Sequence, residues 1–96
     1  MNVLIVEDEP LTLDRMVDLT RSYAGCSLVT PCSSPAEALA AFESTHYDVA
    51  LLDIQLPDMS GLDLASHLQN YKPGISVIFV TAYNHFAAEA FDLEAQ

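Results

Sequence analysis

Four short apolar runs dominate this chain: Val3–Val6, Cys26–Thr30, Val49–Leu52 and Ile75–Val80. Each has the length of a β-strand, and the first and last are rich in Val and Ile, whose branched side chains suit a pleated surface. Val3–Val6, Val49–Leu52 and Val77–Val80 show no polar alternation. Continuous apolar runs of this kind belong to strands buried on both faces, as in parallel sheets. Between the runs the period changes to that of a helix. Leu13, Met16 and Val17 follow the i, i+3, i+4 rule, and Leu19 and Tyr23 are expected to widen that stripe. Ser34-Pro35-Ala36-Glu37 spells a helix start: Ser34 caps, Pro35 fits the first helical position, and Glu37 reaches back as a capping box. Ala38, Ala41 and Phe42 then supply an apolar face. Ser60 is expected to cap a third helix that carries Leu62, Ala65 and Leu68 on one side. A fourth helix is expected from near Asn84, with Phe86, Ala90 and Leu93 together. Strict β-α alternation predicts an α/β fold, with a parallel sheet and right-handed crossover helices.

Composition narrows what such a fold can do. The 96 residues suffice for one small domain, and 51% hydrophobic content is too high for a disordered chain. Fourteen acidic residues face only three basic ones, for a net charge of −11. That charge repels nucleic acid and anionic membranes, and it favours Mg2+ or a basic protein face as partner. The N-terminus has no positive region and an apolar run of only four residues, so no export signal is expected. No stretch approaches the roughly 20 apolar residues of a membrane span. Cys26 and Cys32 are too few for a disulfide framework and are expected to be reduced thiols in a cytoplasmic protein.

In a parallel sheet, ligands bind beyond the carboxyl ends of the strands. Glu7, Asp8 and Glu9 follow the first run, Asp53 the third and Thr81 the fourth. If these strands are neighbours, Glu7, Asp8, Asp53 and Thr81 meet at one edge. Carboxylates held that close need a shared proton, a basic side chain or a metal. Lys72 lies at the opposite end of its strand, and Arg15 and Arg21 lie within the first helix. A hard divalent cation is the remaining answer: Mg2+ takes one or two carboxylates, keeps waters and accepts phosphate oxygens. A carboxylate beside it can act as a nucleophile and form an aspartyl phosphate. The Thr81 hydroxyl can donate to a phosphoryl oxygen. Each acid alone would read as a helix cap or turn former, so the inference rests on the joint arrangement. His46, His67 and His85 lack ligand spacing and are expected at the surface, with His85 close enough to Thr81 to border the site.

Three segments carry a family resemblance: Val3-Leu4-Ile5-Val6-Glu7-Asp8-Glu9, Leu51-Leu52-Asp53-Ile54-Gln55-Leu56-Pro57-Asp58-Met59-Ser60-Gly61 and Val80-Thr81-Ala82-Tyr83. As a set they resemble the signatures of response-regulator receiver domains, and the likeness spans the whole chain. The resemblance implies a doubly wound, flavodoxin-like parallel sheet of order 2-1-3-4-5, of which this sequence supplies 2-1-3-4. It implies Asp53 as phosphoacceptor and Mg2+ as cofactor. Asp8 and Asp53 would be direct metal ligands, Gln55 would give its backbone carbonyl, and Glu7 would act through water. Thr81 would be the switch hydroxyl, Ala82 and Pro57 would border the site, and the face around the fourth helix would be read out. A sensor histidine kinase or phosphotransfer protein is the implied partner, with an output domain following in the parent protein. Thr81-Ala82-Tyr83 with Ala87, Ala90 and Phe91 resembles receivers joined to LytTR-type DNA-binding domains.

The family's Lys after a fifth strand, that strand's aromatic switch residue and the fifth helix have no counterpart here. Residues 1–96 therefore read as one receiver domain, incomplete at its C-terminus. On that reading Ile75–Val80 becomes a sheet edge through which two copies could pair. Two rival functions compete with this one. An aspartyl-nucleophile phosphatase of the haloacid dehalogenase type needs an acid two residues after the nucleophile, where Gln55 stands. A pseudo-receiver, an interaction module that is never phosphorylated, is disfavoured by the intact Glu7, Asp8, Asp53 and Thr81 set. The expected role is thus a switch, not an enzyme, catalysing at most its own phosphoryl transfer.

Overall fold

The computed structural model describes residues 1–23 and 25–80. The described elements are β1 (Asn2–Val6), α1 (Pro10–Arg21), β2 (Leu28–Cys32), α2 (Pro35–Ser44), β3 (Val49–Leu52), α3 (Gly61–Tyr71) and β4 (Ser76–Phe79). The four strands form one parallel sheet in the order β2-β1-β3-β4. The doubly wound order expected from the sequence is therefore present. The expected fourth helix, together with Thr81, Ala82 and His85, lies outside the described residues.

The period of two along β1 sorts the core into two layers. Leu4 and Val6 join Ala50, Leu52, Leu64 and Leu68 on the face covered by α2 and α3. Val3 and Ile5 join Met16, Val17 and Val29 on the face covered by α1. Val3 to Val6 are all at or below 2% exposure, as a central strand covered on both faces requires.

Several local expectations need correction. The second strand is Leu28–Cys32, two residues later than the expected Cys26–Thr30. It accommodates Pro31 because β2 pairs only with β1 among the described residues, and an edge strand can lack an N–H. Leu19 and Tyr23 do not widen the α1 stripe: they are 68% and 72% exposed, and the buried arc is Met16 and Val17 with Leu13 packed beside it. Leu62 is likewise turned out, at 55% exposure. Gly61, Leu64, Ala65 and Leu68 form the buried i, i+3, i+4, i+7 face of α3 instead. β4 is not buried on both faces, since Ile78 and Phe79 are 50% and 40% exposed.

The helix starts follow local chemistry. Ser34 Oγ accepts the Glu37 N–H at 3.2 Å, with Pro35 at the first helical position. The reciprocal bond goes one residue further back than expected: Glu37 accepts from the Ser33 N–H at 2.7 Å. Ser60 caps α3 by accepting from the Asp63 N–H at 3.1 Å. Among the described residues no helix is long and apolar enough to cross a membrane.

Candidate functional site

The parallel register brings the carboxyl ends of the strands level, with Val6 opposite both Cys32 and Leu52. The ladder continues one residue beyond. The Glu7 N–H donates to the Cys32 carbonyl at 3.0 Å, and the Asp53 N–H donates to the Val6 carbonyl at 3.0 Å. Those two bonds fix the backbones from which the acids project. Glu7, Asp8 and Asp53 each present a carboxylate oxygen, and these oxygens lie within 4.8 Å of one another.

The three acids differ in environment. Glu7 is 1% exposed and Asp53 9%, while Asp8 is exposed. Glu7 Oε2 accepts the Glu9 N–H at 2.9 Å. Glu7 Oε1 is buried and has no hydrogen-bond partner among the described residues. Burial pushes the Glu7 carboxyl up to about 7, the Asp53 charge adds to the rise, and the Glu9 N–H partly offsets it. Asp53 Oδ1 accepts the Gln55 N–H at 3.2 Å.

Glu9 stands beside the cluster, but its carboxylate is committed elsewhere. It caps α1, accepting from the Leu11 and Thr12 N–H groups at 3.3 and 2.8 Å and from the Thr12 hydroxyl at 2.7 Å. The Thr12 hydroxyl, more than any other group, holds the Glu9 carboxyl below its ordinary range. The signal for this role was in the sequence, since Pro10 directly after an acid marks a first helical turn.

The cluster floors an open cleft of about 460 Å³, lined by Glu7, Asp8, Glu9, Thr12, Asp53, Gln55, Leu56 and Pro57. The sequence-chosen residues Glu7, Asp8, Asp53, Gln55 and Pro57 are thus brought together, whereas Thr81 and Ala82 fall outside the described residues. Thr12 and Leu56 also line the cleft; Leu56 falls within the segment that carries Asp53 and Pro57, whereas nothing in the local sequence marks Thr12. Among the described residues the one ion pair, His46–Asp48, is at the other end of the sheet, so it leaves the acids uncompensated. An all-oxygen donor set with two buried carboxylates and one orphaned oxygen fits a hard divalent cation such as Mg2+.

Fold and site together define a class: a doubly wound parallel domain with an acidic cleft beyond its central strands. The chain belongs to the response regulator receiver domain family, whose model matches residues 3–96. It is therefore a receiver domain of the two-component response-regulator type. The positive alginate biosynthesis regulatory protein of Pseudomonas aeruginosa is 42% identical over 96 residues, covering 99% of this chain and 39% of that protein. The sensory transduction protein LytR of Staphylococcus haemolyticus is 38% identical over 95 residues, covering 99% of this chain and 37% of that protein. The chain thus spans about two-fifths of the length of these curated relatives. Among solved structures, the response regulator TrrA of Thermotoga maritima in complex with Mg2+-BeF is 32% identical with a TM-score of 0.76, covering 92% of this chain and 75% of that one. TrrA in complex with the histidine kinase ThkA is similar at a TM-score of 0.74 and 33% identity, covering 88% of this chain and 72% of that one.

Proposed function

We propose that this domain accepts a phosphoryl group on Asp53 from a phosphohistidine donor, with Mg2+ in the acidic cleft. The observation that carries the reading is the buried Glu7 Oε1, without a partner among the described residues, beside two further carboxylates that none of the described cationic side chains pairs with. Asp8, Asp53 and the Gln55 backbone carbonyl would hold the metal directly, and Glu7 would hold it through water. When bound, Mg2+ neutralises charge on the carboxylates and on incoming phosphoryl oxygens.

The remaining chemistry belongs to the chain. An Asp53 carboxylate oxygen attacks phosphorus, an O–P bond forms, the donor's P–N bond breaks, and the imidazole leaves with a proton. The Gln55 N–H on Asp53 Oδ1 fixes the rotamer, leaving Oδ2 as the attacking oxygen. Thr81 follows β4 after Val80 in sequence, and its hydroxyl would turn toward the phosphoryl group, with Ala82 and Pro57 at the border. That movement would be read on the face around the segment after Thr81. The donor would be a sensor histidine kinase or a phosphotransfer protein in the cytoplasm, a reading supported by the TrrA–ThkA complex. An output domain in the parent protein would carry the response, a reading supported by the much longer relatives.

Incubation with a small-molecule phosphodonor and Mg2+ tests this. Intact-mass spectrometry is expected to show one labile adduct that is absent in Asp53→Asn. An adduct of equal yield in Asp53→Asn would refute the assignment.

A further inference from the structure

Gly61 opens α3, at a position where helix propensity favours alanine over glycine. Space decides otherwise. A Cβ at Gly61 would lie 2.0 Å from the Asp53 carbonyl oxygen, and 2.9 Å from both the Asp53 carbonyl carbon and the Ile54 Cα. Real Cβ atoms essentially never come within 3.0 Å of another heavy atom, and all three neighbours are backbone, which cannot swing aside. One of the two segments would have to move.

The helix is the more firmly held. Leu64 and Leu68 are fully buried and Ala65 is 6% exposed, so α3 is seated in the core. The peptide that follows β3 is the part that gives. It carries Asp53, and it runs into Gln55, whose N–H sits 3.2 Å from Asp53 Oδ1. The loop back to α3 has little slack. The Gly61 N–H donates to the Ile54 carbonyl at 2.7 Å. The Met59 N–H donates to the Pro57 carbonyl at 2.7 Å, across Asp58 with its φ of 67°. That is a γ-turn of the rarer, strained hand.

We infer that Gly61 is a positioning residue for the acidic site: the bare α-carbon lets the start of α3 close against the Asp53–Ile54 peptide and so aims the Asp53 carboxylate and the Gln55 carbonyl. It acts through that peptide and touches no ligand. The inference rests on the reading of Asp53 as phosphoacceptor and deepens it.

The test compares Gly61→Ala with two controls in the same chain. Ala65→Gly loosens α3 from its core side, and Asp58→Gly eases the γ-turn; both leave the Gly61–Asp53 approach intact. The rate of adduct formation per folded molecule is measured by intact mass and calibrated by circular dichroism. A misplacement of about 1 Å can cost roughly a hundredfold in rate, and a loss of that order is expected in Gly61→Ala alone. A wild-type rate in Gly61→Ala overturns the inference. So does an equal loss in either control, and so does a Gly61→Ala chain that does not fold, which would make Gly61 a folding residue. Absence of an adduct in the wild type would instead refute the phosphoacceptor reading. The positioning role is then read on metal-free amide spectra. Shifts confined to the Asp53–Gln55 segment in Gly61→Ala support it, and an unchanged segment overturns it.

Discussion

The two ends of the sheet use charge in opposite ways. At the amino ends of the strands the Met1 ammonium, Asp48 and Lys72 each have partners. The Met1 ammonium donates to the Gly25 carbonyl at 2.7 Å and to Ser27 Oγ at 3.2 Å. Asp48 accepts the Asn2 N–H at 2.8 Å and meets His46 Nε2 at 3.2 Å. Lys72 donates to the Tyr47 carbonyl and contacts the His46 ring. At the carboxyl ends, Glu7, Asp8 and Asp53 crowd together, and one buried oxygen has no partner among the described residues. The first end is finished by folding. The second is left with an electrostatic cost that a bound cation would relieve, and such local strain is what a ligand site requires.

The comparison breaks first at Glu7. Its folded pKa of about 7 lies above the ordinary value of 4.5, so between those limits the native state holds the proton more tightly than the unfolded chain. The metal-free domain is therefore expected to lose stability as pH rises from about 4.5 to about 7, and to lose no more on this account above it. Glu7→Gln is expected to flatten that slope and to raise metal-free stability at pH 7.5 by about 1–2 kcal/mol, given 1.36 kcal/mol per pKa unit and partial screening. Urea melts at pH 5 and 7.5 would check it; a variant less stable than wild type at pH 7.5 would mean that the ionised carboxylate has a partner after all.

A smaller effect of opposite sign is expected at the amino end. Lys72→Met removes the donor to the Tyr47 carbonyl and is expected to cost about 1 kcal/mol, in keeping with a single partly buried hydrogen bond. Mg2+ affinity should not change, because Lys72 lies beyond the far end of the strands. A Lys72→Met variant with altered Mg2+ binding would show that the two ends are coupled.

What is legible in the sequence varies with the range of the interaction involved. β3 and the caps at Ser34 and Ser60 were readable because their signals are local: an apolar run ended by Asp53, and hydroxyls placed before helical periodicity. Neighbouring strands then brought Glu7, Asp8 and Asp53 together, because strict alternation left few topologies. β2 lies two residues beyond its apolar run, because an edge position admits Pro31 and no local pattern says which strand is at an edge. Leu19, Tyr23 and Leu62 face outward although apolar, because apolar character does not say which arc of a helix meets the sheet. Gly61 could be seen as part of a motif, but its approach to the Asp53 carbonyl is a tertiary distance that no local pattern encodes. Thr81 and Ala82 lie outside the described residues.

The central claim is that the carboxyl-end acids form a cation site that the amino end does not share. A Mg2+ titration at pH 7.5, followed by backbone amide shifts, measures this most directly. The expected result is saturable shifts at Glu7, Asp8, Asp53 and Gln55, abolished in Asp8→Asn, with Asn2, Tyr47 and Asp48 unmoved. Shifts spread over the exposed acids of α1 and α2, or left intact in Asp8→Asn, would contradict it.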